Sequence, residues 1–293
     1  MKRDTLQRHI EIANGLLNYI YTHIDTDINL DELAIFFKIN KYHLHKIFKS
    51  IFEVNIYESI KSIRLQKASN LLLTNQHSTI SEIANLCGYS SQTSFIRAFK
   101  KRFSMTPKAW RVGGYKDYSK HLIEQISYVD ATNCHFEQIR PTIVKMPSIK
   151  AYYIRHRGYE ETIKQTWQKI QVWLFSNDIK EYELISLFHD NPALTPLKEC
   201  HHVASVLIKD NKKIKNSQLP QFTISSGVYA KFDVEGKRGD LLQFIQWVYH
   251  EWLPKSGYET TTNPPYAIYR KNHHLSEDKR FDMSFYLSVR LGG

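Results

Sequence analysis

The stretch Ile80 to Phe103, ISEIANLCGYSSQTSFIRAFKKRF, has the pattern of a helix, a tight turn and a second helix. Ile80, Ile83, Ala84 and Leu86 give one apolar face at helical spacing. Thr79 with Glu82 three residues later is a capping-box signal for its start. Gly88 supplies the positive φ that a sharp turn between packed helices needs. Ser90 is expected to cap the second helix. There Phe95, Ala98 and Phe99 point one way, and Gln92, Thr93, Arg97, Lys100 and Lys101 point outward. An outward face of Gln, Thr and Arg at a helix amino end suits the base edges of a major groove. The same faces also suit an amphipathic hairpin whose basic side is merely solvated.

A second copy lies upstream. Leu30, Leu33 and Ala34 match Ile80, Ile83 and Ala84; Leu44, Lys46, Phe48, Lys49 and Phe52 match Phe95, Arg97, Phe99, Lys100 and Phe103. Apolar positions fall on apolar ones and basic on basic. Leu6 to His23 reads as a leading helix, with Asn29 and Asn40 as caps for the two that follow. The helix from Lys41 to Phe52 should bury Leu44, Ile47, Phe48 and Ile51 and leave Tyr42, His45, Lys46 and Lys49 outside. Ile56 to Leu73 reads as one long helix joining the two units, able to hold their spacing so that both reach successive major grooves, about 34 Å apart. Charge follows this division. Residues 1–120 carry 18 Lys and Arg against 10 Asp and Glu, whereas residues 121–293 carry 22 against 19, so most of the net +11 sits with the helical repeat. Lys212, Lys213 and Lys215 look like a solvated loop.

Cys87, Cys134 and Cys200 contain no CxxC and make no disulfide framework, which points to a reduced, cytoplasmic setting. No apolar run approaches a membrane span, and the amino terminus does not read as a signal peptide. After a short closing helix at Pro107, Trp110 and Arg111 comes a connector over residues 113–135, partly helical around Lys120–Gln125. From about His135 the pattern becomes β-rich. Strands are expected at Phe136–Val144, Ile149–His156, Tyr182–Phe188 and Val203–Ile208, with a helix at Glu160–Ser176. A similar order follows, with strands at Phe222–Phe232, Ala267–Tyr269 and Phe281–Arg290 and a helix at Leu241–Leu253. The expected fold is an all-α amino-terminal domain with two helix-turn-helix units joined by a long helix, then an α+β domain of duplicated strand-helix-strand-strand units. The domains are 1–112, a linker 113–135, and 136–293. A groove where the halves meet could bind a small molecule between aromatic walls. Its candidate effector-binding residues are Tyr152, Tyr159, Trp173, Tyr229, Trp247 and Tyr269. Each ring is also plausible filler of a sheet core.

The amino-terminal region resembles the DNA-binding domain of AraC/XylS-family transcription regulators. The resemblance rests on Ile80-x-x-Ile83-Ala84-x-x-x-Gly88-Tyr89, Phe95-x-Arg97-x-Phe99-Lys100-Lys101 and Thr106-Pro107-x-x-Trp110-Arg111. It implies base or near-base roles for Tyr42, His45, Lys46, Gln92, Thr93 and Arg97, and phosphate contacts for Lys49, Lys100 and Lys101. Glu53 stands where the family often has glycine, and Ser59 where tyrosine is frequent. The carboxyl-terminal region resembles GyrI-like effector-binding domains through Arg157-Gly158-Tyr159, Asp190-Asn191-Pro192 and Trp252-Leu253-Pro254-x-Ser256-Gly257-Tyr258. The combined order is similar to the right-origin-binding-protein subgroup. In the family a pocket glutamate that faces cationic ligands, and in some members supports hydrolysis, often stands where this chain has Ala267. That departure predicts neutral or weakly polar effectors.

The expected function is a sequence-specific transcription regulator, an activator by resemblance, bound as a monomer to double-stranded DNA. A small hydrophobic or amphiphilic effector is expected, and contact with RNA polymerase is implied by the resemblance. The alternative is a carboxyl-terminal hydrolase, or a module that sequesters a ligand or protein. No GxSxG, HExxH or P-loop is present, and the adjacent pairs His201-His202 and His273-His274 cannot readily share one metal. No catalytic residue, metal or cofactor is therefore expected, and no membrane partner.

Overall fold

The computed structural model describes residues 3–124, 135–158, 162–192, 194–209, 214, 217 and 219–292. Tyr159, Cys134, Lys212, Lys213 and Lys215 lie outside the described residues. The chain divides into two compact units, Met1–Leu72 with Ser78–Ala109, and Leu73–His77 with Trp110–Gly293. Among the described residues no helix is long and apolar enough to cross a membrane.

The first unit is helical: α1 (Arg3–Thr22), α2 (Leu30–Phe36), α3 (Lys41–Phe52), α4 (Ile56–Thr74), α5 (Ile80–Leu86), α6 (Gln92–Phe103) and the short α7 (Pro107–Ala109). Each boundary has a local cause. Asn29 Oδ1 accepts from the Asp31 and Glu32 amides, Asn40 Oδ1 from His43, and Thr79 and Glu82 form the reciprocal capping box. The cap of α6 is Ser91, extended at φ −141° and ψ 126° with its Oγ accepting from the Ser94 amide, and not Ser90, because the first helical residue is Gln92. α3 and α6 both end on a left-handed residue, Glu53 at φ 61° and Ser104 at φ 58°. That conformation explains why glycine suits the Glu53 position. Ile12, Ala13, Leu16, Leu17 and Ile20 of α1 pack with Leu30, Leu33, Leu44, Ile47, Phe48, Ile56, Ile60 and Ile63 in one core. Ile51 is half-buried at its edge.

In the second unit, Trp110–Gly114 forms a wide helical turn that breaks at Gly113 (φ 131°), and α8 (Tyr115–Glu124) begins earlier than the sequence suggests. Nine strands follow: β1 (Thr142–Met146), β2 (Ile149–Arg157), β3 (Tyr182–Phe188), β4 (His201–Ile208), β5 (Gln221–Ile224), β6 (Gly227–Lys237), β7 (Tyr258–Thr260), β8 (Tyr266–Lys271) and β9 (Arg280–Leu291). Their order is β1-β6-β9-β8-β3-β4-β2-β5, with β7 pairing β9, and every pairing is antiparallel. Helix α9 (Thr162–Ser176) lies between β2 and β3 in the chain; α10 (Asp240–Trp247), a wide turn to Trp252 and α11 (Leu253–Lys255) lie between β6 and β7.

Three sequence expectations change. Phe136–Gln138 is a single helical turn, and the strand starts only after Pro141, which has no amide to pair. The run Phe222–Phe232 is two strands, broken at Ser225-Ser226, which pair with different partners, β2 and β6's neighbours β1 and β9. A strand not among those expected, β7, begins at Tyr258, the last residue of the Trp252–Tyr258 motif.

Side-chain alternation sorts the sheet into two faces. Ser186, Ala267 and Phe285 stand side by side in register on one face, and Trp167 of α9 and Phe244 of α10 pack there, against Tyr269 and Phe285. The other face gathers Tyr153, Ile185, Leu187, Tyr229, Tyr266 and Tyr286 into a core of its own.

Candidate nucleic-acid interface and effector site

In α6 the rings of Phe95, Phe99 and Phe103 form a buried ladder, with centroids 5.6 and 4.5 Å apart. Burying a Phe contributes about 1.5–3 kcal/mol, so this row fixes which face α6 presents. Gln92, Thr93, Arg97, Lys100 and Lys101 are consequently exposed on its opposite side. α3 repeats the arrangement, burying Leu44, Ile47 and Phe48 and exposing Tyr42, Lys46 and Lys49, with Tyr42 at 78% exposure. Lys41 Nζ pairs with Asp31 at 2.8 Å and ties the first turn of α3 to α2; the hydrogen bond to Asp31 raises the ammonium pKa.

His45 is the exception to full exposure. It is half-buried, and its ring lies 5.5 Å from Tyr57 at the start of α4. Tyr57 is itself 58% exposed, so it widens the polar face of α3. Sequence reasoning passed over Tyr57 because it sits in the apolar pattern of the next helix. The two turns share one construction, with Lys38 at φ 55° in the first standing where the second has Gly88, and the same pair of turn hydrogen bonds in each. Gly88 has φ 73°, and a Cβ there would stand 2.4 Å from the Ile24 carbonyl oxygen and 2.6 Å from Arg64 Nη2. Cys87 and Tyr89 flank it, and burial pushes both up to about 12 while the Arg64 charge opposes the shift.

The effector candidates do not form one cluster. Tyr152 packs on Trp173, with ring centroids 4.8 Å apart, and both belong to the layer between β2 and α9. Trp247 contacts Phe232 and Phe244 beside α10. Tyr229 lies on the opposite face of the sheet, against Tyr266 and Tyr286, and its hydroxyl donates to the Ser225 carbonyl. Tyr269 sits in the helix-covered layer against Trp167.

Around Tyr269 the structure assembles polar groups that the sequence left scattered. Ser186 Oγ lies 2.8 Å from His202 Nε2 and donates to the Tyr269 hydroxyl at 3.0 Å. Trp167, His202 and His274 surround them, with ring centroids 5.9 to 6.5 Å apart, and His273 lies tilted against His274 at 3.9 Å. All are buried. Burial lowers His202 and His273 to about 3 and takes His274 well below its usual value, so the cluster is uncharged at neutral pH. Burial likewise pushes the Tyr269 phenol up to about 12. The indole N–H of Trp167 and Nδ1 of His273 have no hydrogen-bond partner among the described residues. Ala267 is fully buried within this layer. No group of three or more His, Cys, Asp or Glu side chains among the described residues is placed to hold a metal ion.

Residues 140–290 match the model of the GyrI-like small molecule binding domain. The chain belongs to the GyrI-like domain family. Its residues 33–112 match a helix-turn-helix domain, of the AraC type. The regulatory protein SoxS of Salmonella typhimurium is 33% identical over 103 residues, covering 35% of this chain and 95% of SoxS. The probable transcription factor PqrA of Proteus vulgaris is 33% identical over 105 residues, covering 35% of this chain and 85% of PqrA. The xylose operon regulatory protein of Escherichia coli is 35% identical over 95 residues, but these span only 24% of its length. A DNA-binding helix-turn-helix domain with a GyrI-like small-molecule domain makes this GyrI-like protein a DNA-binding transcription regulator.

Proposed function

We propose that this GyrI-like regulator reads an asymmetric DNA site as a monomer, through α3 and α6 together. The carrying observation is that both helices have the same construction. Polar caps stand at Asn40 and Ser91, buried rows at Leu44/Phe48 and Phe95/Phe99, and left-handed ends at Glu53 and Ser104, all 51 residues apart, with basic residues on the exposed side of each. Tyr42, His45, Lys46, Gln92, Thr93 and Arg97 then face bases, and Lys49, Lys100 and Lys101 face phosphates. α4 holds the two helices at a set spacing. The DNA-reading domain extends over 1–112, the connector over 113–135 and the sensing domain over 136–293. The protein works in the cytoplasm and activates transcription through contact with RNA polymerase.

The sensing domain is a duplication in this reading. The order β6-β9-β8 followed by β3-β4-β2 supports it, because β2-α9-β3-β4 and β6-α10-β8-β9 then occupy equivalent places on either side of the β8–β3 seam. The effector is small, neutral, and hydrophobic or amphiphilic. It lies in the helix-covered layer at that seam, near Tyr269, Trp173 and Tyr152. The unpartnered Trp167 N–H and His273 Nδ1 and the lack of charge in the cluster favour a neutral hydrogen-bonding ligand. Trp247 forms a wall on the α10 side, Tyr229 supports the sheet from its opposite face, and Tyr159 is a further contact in this reading. Genomic footprinting of the intact protein, with and without a panel of neutral and cationic aromatic compounds, tests the whole reading. Discrete sites whose occupancy or transcript output responds to neutral compounds are expected. Uniform coverage of DNA would refute it.

A further inference from the structure

We infer that Arg64 is the positioning residue that sets the spacing between the two DNA-reading helices. This rests on the two-helix reading above. Arg64 projects from the middle of α4, and its Nη2 donates to the Thr26 carbonyl at 2.8 Å, in the loop that joins α1 to α2. The same guanidinium faces the turn between α5 and α6. A Cβ on Gly88 would come within 2.6 Å of Nη2 and 2.7 Å of Cζ, and within 2.4 Å of the Ile24 carbonyl oxygen. One side chain therefore touches three parts: the long helix, the loop entering the first helix pair, and the turn of the second pair.

Leu30, Leu33, Leu44 and Ile47 fix α2 and α3 against α1 and α4, and Phe95, Phe99 and Phe103 anchor α6, but the turn at Gly88 meets the first pair's loop on backbone and guanidinium atoms. A backbone carbonyl and a planar cation define distance and angle more sharply than apolar packing, since both partners are directional. Arg64 is half-buried and its Nη2 is engaged by the Thr26 carbonyl beside the Gly88 turn, so in this reading it acts on DNA through α3 and α6 and not by touching phosphate.

The reading predicts a change in spacing preference and not a uniform loss of binding. Selection from random duplex DNA by the intact wild type gives a two-part site. Insertion or removal of one base pair between the parts rotates one against the other by about 34° and costs at least about tenfold in affinity. Arg64→Ala is expected to reduce that cost to below about threefold, while keeping the base preferences within each part and the salt dependence of binding. Arg64→Gln retains one N–H for the Thr26 carbonyl and should fall between the two; it carries the test if Arg64→Ala does not fold. Three results would overturn the assignment. An unchanged spacing cost in the folded variants would remove the role from Arg64. A salt slope lowered by about one unit would make it a phosphate contact instead. A wild-type site with a single uninterrupted element would remove the two-helix reading on which the assignment depends.

Discussion

The buried histidine cluster makes the stability of the sensing unit depend on pH in a calculable way. His202 and His273 are held neutral by burial, at about 3, against an ordinary value of 6.5. The groups around them add to this: His156 and His273 oppose a charge on His202, Arg238 opposes one on His273, and all four oppose one on His274. A histidine whose folded value is depressed binds fewer protons folded than unfolded. Its contribution is complete above about 6.5 and is lost as pH falls toward 3. Between pH 7 and pH 5 the linkage relation gives a loss of about 2 kcal/mol for each of the two, or about 4 kcal/mol together. That is a large share of an ordinary domain's stability of about 5–15 kcal/mol. The assay is urea unfolding followed by tryptophan fluorescence. Four of the five tryptophans, Trp167, Trp173, Trp247 and Trp252, lie in the sensing domain, so the signal is dominated by it. His202→Gln keeps a donor for Ser186 without a titrating ring, and should lower the pH dependence by about 2 kcal/mol over the same interval. A midpoint that stays constant from pH 7 to 5, or a variant with the wild-type slope, would show that these histidines are not held neutral in the fold.

Other outcomes follow from the reading unit. Glu53→Gly should raise thermal stability by about 1 kcal/mol, because a side chain is strained at φ 61° and glycine is not; calorimetry of both proteins measures it. Arg97→Ala should cost about 1–3 kcal/mol on the selected site and relax preference at one base pair, and an equal loss on random DNA would make Arg97 a phosphate contact. Lys100→Ala should weaken binding evenly across sequences and lower the salt slope by about one unit, read from titrations at several salt concentrations. Light scattering of the complex on a minimal site should give one protomer per duplex; two would refute monomeric binding.

Much of the helical unit was legible in the residues because its signals are local. Caps act over three residues and apolar faces over four, so Asn40, Thr79 and the row Phe95, Phe99 and Phe103 reveal their helices without knowledge of any partner. Ser90 against Ser91 was undecidable on that scale, since two adjacent hydroxyls carry the same signal. Strand cores at Tyr182–Phe188 and Ile149–His156 were equally visible. The break at Ser225-Ser226 was not, because it arises where the chain exchanges β2 for β1 and β9 as partners, and strand pairing is a property of distant segments.

Tertiary structure alone decided which aromatic and polar residues share a site. Tyr266, Ala267 and Tyr269 are near neighbours in sequence, but the two-residue alternation of a strand sends Tyr266 to one face of the sheet and Ala267 and Tyr269 to the other. Ser186, His202 and Tyr269 come from three strands that adjoin only in the sheet order β8-β3-β4. Arg64 gave no sign of its role either. An arginine in a long amphipathic helix reads as solvated until the Thr26 carbonyl and the Gly88 turn are found beside it. The helices and their exposed basic faces were readable from the residues because propensity, capping and periodicity are short-range. The face a residue shares, the charge state of a buried histidine and the contact that joins two helix pairs depend on which distant atoms exclude water from it, and only the folded chain supplies them.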